Sequence, residues 1–262
     1  MNIPEILQKI LHYATLPQAA GLFCVLVFML GKRKRGYLLF LSLSLAVSTG
    51  LLLKEFFKVS RPWWTDVTTA PYLAEGGYAL PCMHTLLASA IFTSLALTSK
   101  HHPVRFLCAA AVWVTASWRI LTGLQSITDV LAGLACGIIT AFLLTRFYYQ
   151  TLKKTSRYVV ISAAILFGAA AAIWKQDGWG LGPALTALLL TFLEKPLRKA
   201  ESKRTAFGKI YGTVFAVGIY TGLNILLPFL VEWLITPLWP GQTLIVFLIT
   251  SIPCLLRLFP IF

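Results

Sequence analysis

Apolar segments long enough to cross a bilayer recur along the whole chain, and no other feature constrains its fold as strongly. Only 12% of the 262 residues are charged, whereas a soluble domain carries about 25%. Water is therefore not the main solvent of the folded chain. The sequence predicts an all-α fold, a polytopic transmembrane helical bundle with about nine spans.

The predicted spans are separated by polar or basic connections. They cover approximately residues 18–31, 36–53, 82–99, 105–121, 126–148, 158–174, 180–193, 210–233 and 240–261. Before the first span, residues 3–16 place apolar side chains at helical spacing, which predicts a short amphipathic helix on the membrane surface. Gly133 and Gly137 form a small-residue pair in the fifth span and predict close helix packing there.

The net charge of +14 is concentrated in alternate connections. By the positive-inside rule these connections are cytoplasmic, namely 32–35, 100–105, 153–157 and 195–209. The other connections are then expected outside, namely 54–81, 119–126, 175–179 and 234–240. A nucleic-acid binder would instead gather its basic residues on one polar face, so this pattern argues against nucleic acid as a partner.

Charged side chains also occur at membrane depth in the outer connections, where each needs a partner or a polar cavity. Lys54, Lys58 and Arg61 fall within eight residues, while Arg119 ends one span and Asp129 begins the next. Taken singly, the lysines are explained by snorkelling from a helix end, and Arg119 with Asp129 by a structural ion pair. Together, three or four cations and one acid form a site suited to phosphate.

His84 stands at the start of the third span, three residues after Pro81. Proline in the first turn of a helix leaves backbone N–H groups pointing outward, and such helix starts bind anions. Taken alone, His84 is equally explained as a hydrogen-bonded core histidine. Its position on the same side as the cations favours a functional role.

Three segments resemble the signatures of the type 2 phosphatidic acid phosphatase superfamily. In the first, six residues separate Lys54 from the pair Arg61-Pro62. The second, at 81–84, corresponds to Pro-Ser-Gly-His, and the third, at 118–129, to Ser-Arg, five residues, His, three residues, Asp. Order, spacing and membrane layout all fit the family, and the resemblance covers residues 54–129.

The resemblance implies a phosphate site at the outer membrane face. Lys54, Arg61 and Arg119 would neutralise charge on the phosphoryl oxygens, with the backbone at Cys82 and Met83 beside them. It further implies a catalytic pair in which a general acid, His84, protonates the leaving lipid alcohol, and Asp129 orients the imidazole that attacks phosphorus.

The chain departs from the family where the chemistry occurs. Gln125 occupies the position of the nucleophilic histidine, and an amide nitrogen has no available lone pair with which to form the covalent intermediate. Cys82 replaces the usual serine, Met83 the usual glycine, and Trp118 the serine before the arginine. Gln125 and Asp129, one turn apart on a helix, are expected to hydrogen-bond to each other and to hold a bound phosphate.

Other nucleophiles are poorly placed by the sequence. His101 and His102 fall on the predicted cytoplasmic side, and His12 lies on the surface helix, where nothing in the sequence brings it near the site. Cys82 lies beside the expected phosphate, but a cysteine phosphatase needs a loop geometry of its own.

Three functions stay open. The first is binding of a phosphorylated membrane lipid with impaired or absent hydrolysis. The second is an active lipid phosphate or undecaprenyl diphosphate phosphatase with a rearranged site. The third is a membrane transporter built on the C-terminal spans. The acidic residues Glu194 and Glu232 in that part of the chain favour this function.

The sequence divides into an interfacial helix (1–16), a phosphatase-like transmembrane core (17–157) and additional transmembrane helices (158–262). We expect a multi-pass plasma-membrane protein whose phosphate site faces the extracytoplasmic side. No cofactor and no metal are implied, because the site lacks a carboxylate or imidazole cluster. A homo-oligomer or a membrane partner subunit is compatible with the sequence.

Overall fold

A computed structural model describes the backbone of residues 3–65, 77–150, 154–175, 179–201, 205–234 and 239–258. Within these ranges every regular element is helical, which confirms the predicted fold class. The elements are α1 (Ile3–Ala14), α2 (Pro17–Leu30), α3 (Arg33–Phe57), α4 (Pro62–Thr65), α5 (Met83–Thr98), α6 (His102–Leu121), α7 (Ile127–Leu144), a π-helical turn (Thr145–Gln150), α8 (Lys154–Lys175), α9 (Gly182–Phe192), α10 (Glu194–Glu201), α11 (Ala206–Leu234), α12 (Trp239–Leu255) and a 3-10 turn (Leu256–Leu258).

Helix α3 is the central element of the fold. It has 25 residues, which correspond to a length of about 37 Å. It packs against α2, α5, α7, α8 and α9. Its buried side chains are apolar or small hydroxyl residues, as expected for a helix surrounded by others. An ion pair between Glu55 and Lys175 joins the last turn of α3 to the last turn of α8, so these two helices run in the same direction.

Helices α5 and α7 cross at very short range, as the small-residue pair predicts. A Cβ built on Gly133 would lie 2.6 Å from the carbonyl oxygen of Cys82, and one built on Gly137 would lie 2.6 Å from that of Leu86. Only glycine permits this approach of the two backbones. The crossing fixes the start of α5 against the first half of α7, where the second and third signatures meet.

The C-terminal helices pack onto the same bundle. Arg257 is buried and donates hydrogen bonds to the carbonyl oxygens of Phe28 and of Gly31, the latter at 3.3 Å, at the end of α2. The Tyr220 hydroxyl in α11 donates to the carbonyl oxygen of Gln18 at 2.6 Å, at the start of α2. Both ends of α2 are therefore held by the C-terminal part of the chain.

Four helical stretches among the described residues are long and apolar enough to cross a membrane: Arg33–Phe57, His102–Leu121, Ile127–Tyr149 and Thr155–Lys175. Four shorter apolar helices accompany them: Pro17–Leu30, Met83–Thr98, Gly182–Phe192 and Gln242–Leu258. Helix α6 exposes Phe106, Leu107 and Trp113, as expected of a surface that faces lipid. These features indicate a multi-pass membrane protein, while the number of nine spans stays a prediction.

Candidate functional site

The segment Gly77–Ala79 forms the centre of the site, because its carbonyl oxygens accept hydrogen bonds from three predicted site residues. Gly77 has a φ of +80°, a left-handed conformation that favours glycine. The N–H of Ala79 donates to the carbonyl oxygen of Val59 at 2.9 Å, which attaches the segment to the chain just after α3.

Lys54 reaches this segment from the last turn of α3. Its ammonium group donates to the carbonyl oxygen of Tyr78 and, at 3.4 Å, to that of Ala79. Lys58 ends the helix in a left-handed conformation with φ 48°, and its own N–H donates to the Lys54 carbonyl oxygen at 3.0 Å. The Lys58 side chain is exposed, so the first signature presents one lysine to the site and the other to the surroundings.

Arg61 is only 2% exposed and contacts the segment from the other side. Its Nε donates to the carbonyl oxygen of Gly77 at 2.7 Å, and its Nη1 donates to the side-chain oxygen of Gln125 at 3.1 Å. Arg61 therefore links the first signature directly to the third.

Gln125 lies in the turn between α6 and α7, where Gly123 takes a φ of +68°. The surrounding donors and acceptors orient its amide so that the oxygen faces Arg61. In that orientation the amide nitrogen donates to Asp129 Oδ2 at 3.3 Å and to the Ala79 carbonyl oxygen at 3.1 Å. The prediction that Gln125 shares a helix with Asp129 is wrong, since α7 begins only at Ile127, but the hydrogen bond between the two side chains forms across the helix start.

Asp129 has a structural role that the sequence analysis missed. Ser126 caps α7, and its backbone N–H and hydroxyl donate to Asp129 Oδ2 at 3.0 and 2.7 Å, while the Asp129 N–H donates back to the Ser126 hydroxyl at 3.2 Å. This reciprocal capping box was readable as Ser-x-x-Asp before an apolar run. The carboxylate thus holds both the helix start and Gln125.

Arg119 is fully buried in the last turn of α6. Its carbonyl oxygen accepts from the Gln125 backbone N–H at 3.3 Å, which places the two residues next to each other in the turn. The preceding Trp118 has a buried indole N–H that finds no hydrogen-bond partner among the described residues.

Cys82 and Met83 both pack against neighbouring elements of the bundle. Cys82 is fully buried, its backbone N–H donates to the Asp129 carbonyl oxygen at 2.9 Å, and its Sγ accepts from the Thr85 hydroxyl at 3.2 Å. The side chain of Met83 is turned toward α3, where its thioether lies 2.7 Å from the Cβ that an alanine would carry at position 50. The bulk of Met83 is accommodated by Gly50.

His84 lies in the first turn of α5 and is 7% exposed. Its ring centroid is 5.8 Å from that of His12, near the end of α1. Nothing in the sequence brings His12 near the site, and no motif signals this approach. His84 also lines an apolar cavity of about 260 Å³ between α2, α5 and α6, which Ala14 and Thr15 line as well.

Together these contacts bring Lys54, Arg61, Gln125 and Asp129 into one hydrogen-bonded network around Gly77–Ala79. Among the described residues no group of three His, Cys, Asp or Glu side chains is arranged to hold a metal ion.

Residues 35–153 match the PAP2 superfamily. This part of the chain belongs to the PAP2 superfamily. Neither a curated protein nor a solved structure was found to match the chain.

The PAP2 region runs from the first turn of α3 to just beyond α7 and contains every residue of the network. Helix α1, which carries His12, lies outside it, as do α8 to α12. Membership and the apolar helices fit a membrane protein of the lipid phosphatase type. Within the PAP2 region the side-chain amide of Gln125 is hydrogen-bonded through both its oxygen and its nitrogen.

Proposed function

We propose that this PAP2 protein binds a phosphorylated lipid headgroup at the outer face of the plasma membrane and hydrolyses it poorly or not at all. The observation that carries this proposal is the position of Gln125, whose amide joins Arg61 to Asp129. An imidazole in this position would be oriented by Asp129 and would attack phosphorus. The Gln125 amide donates the orienting hydrogen bond to Asp129 but has no nucleophilic nitrogen.

Phosphate binding is supported by the groups that Lys54 and Arg61 contact. The oxygens of Gly77, Tyr78 and Ala79 that accept from them are neutral carbonyl oxygens. A phosphate oxygen carries formal charge and accepts charge-assisted hydrogen bonds that are about twice as strong as neutral ones. An entering headgroup can therefore replace these carbonyl contacts.

The orientation of the site rests on charge. Lys54 lies at the end of α3 opposite the basic run 32–35, and that run is cytoplasmic by the positive-inside rule. The network is thus assigned to the extracytoplasmic side. The division into an interfacial helix (1–16), a core (17–157) and additional helices (158–262) belongs to the same proposal.

The proposal is tested with purified full-length protein in lipid nanodiscs that contain phosphatidic acid, or undecaprenyl diphosphate, in a phosphatidylcholine background. Lipid binding is measured by native mass spectrometry and released phosphate by a colorimetric assay. We expect retention of the phosphorylated lipid over phosphatidylcholine, with phosphate release no higher than that of the Lys54→Ala, Arg119→Ala double variant. Phosphate release well above that background would contradict the proposed lack of hydrolysis. Equal retention of phosphatidylcholine would contradict selective binding of the phosphorylated headgroup.

A second candidate function, an active phosphatase with a rearranged site, is favoured by His12. Its ring lies close to His84, and an imidazole, unlike an amide, can act as a nucleophile. In this reaction His12 forms the bond to phosphorus, the bond to the lipid oxygen breaks, His84 supplies the proton to the alcohol, and water then releases phosphate. Turnover by the wild-type protein that disappears in His12→Ala, but not in His101→Ala, would establish it.

A further inference from the structure

A second cavity lies at the opposite end of the bundle from the candidate site. It has a volume of about 270 Å³ and is lined by the start of α3, the π-helical turn, the start of α8 and the junction of α9 with α10. Because α3 is about 37 Å long, Lys32 at its start and Lys54 at its end belong to two separate sites. The PAP2 signatures contribute no residue to this cavity.

The cavity is strongly cationic. Lys32, Arg33, Lys34 and Arg157 line it, and Glu194 supplies the one carboxylate among the described lining residues. A neighbouring depression shares Arg157 and Glu194 and adds Lys195 and Arg198. Four cations around one carboxylate repel one another, and an anion in the cavity would relieve that repulsion.

The cations are held in place by the fold. Arg33 Nη1 donates to the carbonyl oxygen of Glu194 at 3.3 Å. Lys34 donates to the carbonyl oxygen of Tyr149, and its ammonium group lies 4.7 Å from the centre of the Tyr149 ring. The Tyr37 hydroxyl in the cavity wall is anchored on the carbonyl oxygen of Leu190 at 3.2 Å. These contacts form a concave, preorganised surface.

The positive-inside rule by itself does not account for this arrangement. The rule needs basic residues only in a connection on one side of the membrane, and exposed side chains such as Lys100 satisfy it. Here Arg33, Lys34 and Arg157, from helices far apart in the chain, are half-buried around one cavity. Basic pockets between helices on this side of a membrane bind phosphorylated headgroups.

We propose that this cavity binds a phosphate-bearing anion at the membrane face opposite the candidate site. Its position at the ends of three spanning helices suits the headgroup of an acidic phospholipid in the adjacent leaflet, and inorganic phosphate shares the same chemistry. Arg157 is the central ligand, because it lines both the cavity and the neighbouring depression. The site is independent of the function proposed for the PAP2 network.

Binding is measured on delipidated full-length protein by native mass spectrometry, with phosphatidylglycerol, phosphatidylcholine and inorganic phosphate as separate probes. We expect phosphatidylglycerol to bind in preference to phosphatidylcholine. Removal of one charge in Arg157→Gln should weaken that binding about fivefold. Lys100→Gln removes an exposed charge outside the cavity and should leave binding unchanged.

Lys195→Gln changes an exposed side chain and serves as the second variant if Arg157→Gln does not fold. Weaker phosphatidylglycerol binding in either variant supports the site and assigns it to lipid. Binding of inorganic phosphate that Arg157→Gln weakens supports the site and assigns it to a soluble anion. Equal binding of phosphatidylglycerol by the wild-type protein and both cavity variants, or equal binding of phosphatidylcholine, would overturn the proposal.

Discussion

The side-chain oxygen of Gln125 accepts a hydrogen bond from Arg61 Nη1 at 3.1 Å. Gln125 stands at the position where the sequence resemblance predicts the nucleophile, and Arg61 belongs to the predicted first signature. The same amide donates to Asp129, so Gln125 reproduces one contact of an oriented imidazole and adds another to a cation. The hydrogen bonds of Gln125 therefore join residues that the first and third signatures predict to lie together.

Arg61→Lys should weaken binding of phosphatidic acid more than the retained charge suggests. Arg61 uses Nε and Nη1 for two different acceptors, and a lysine ammonium cannot reproduce this planar arrangement. We expect a loss of about tenfold or more, which corresponds to about 1.4 kcal/mol. Lys58→Gln removes a nearby charge whose side chain is exposed and serves as the control. Equal losses in the two variants would mean that general electrostatic attraction, not the network, holds the headgroup.

Gly77→Ala should disturb the network without removing any of its side chains. A residue with Cβ is strained at φ +80°, and the left-handed conformation costs about 1–2 kcal/mol. The Gly77 carbonyl oxygen is the acceptor for Arg61, so both thermal stability and phosphatidic acid binding should fall. Melting in detergent and lipid retention measure the two effects. Unchanged melting and retention would show that this segment does not position Arg61.

Gly137→Ala should destabilise the bundle by about 1–3 kcal/mol, because its Cβ would lie 2.6 Å from the Leu86 carbonyl oxygen. Gly218→Ala is the matched control, since nothing lies within 4 Å of the Cβ there and alanine is the better helix former. We expect a lower Tm for the first variant and an equal or higher Tm for the second. Equal Tm values would contradict the close crossing of α5 and α7.

Much of the architecture was predictable because the bilayer imposes simple constraints. Apolar runs located most of the helices, and the glycines at 133 and 137 located the crossing of α5 and α7. The helix boundaries differ slightly from the predicted ones: α5 begins at Met83, one residue after the predicted start at Cys82. The short helices α4 and α10 were not predicted, since four and eight residues carry little periodic signal.

The candidate site was predictable only in part. Spacing within the signatures indicated that Lys54, Arg61, Gln125 and Asp129 belong together, and their hydrogen bonds fit that interpretation. Their roles in binding or catalysis stay predictions. The approach of His12 to His84 depends on how α1 folds back over the start of α5, and sequence periodicity carries no information on such tertiary contacts.

The space that accommodates Met83 and the cationic cavity around Arg157 could not be predicted from the sequence, for a similar reason. Met83 appeared too large for its signature position, but Gly50, 33 residues earlier in the chain, leaves room for it. The cavity around Arg157 combines residues from 32 to 194, and the sequence shows them only as separate basic connections. Both arrangements depend on contacts between segments that are far apart in the sequence.

Phosphate release from phosphatidic acid by Gln125→His, compared with the wild-type protein in the same nanodiscs, tests the central claim most directly. The substitution returns an imidazole to a position already joined to Asp129, with Lys54 and Arg61 unchanged. We expect release above the background of the Lys54→Ala, Arg119→Ala variant in Gln125→His but not in the wild-type protein. A wild-type rate above that background and equal to or higher than the rate of Gln125→His would contradict the account.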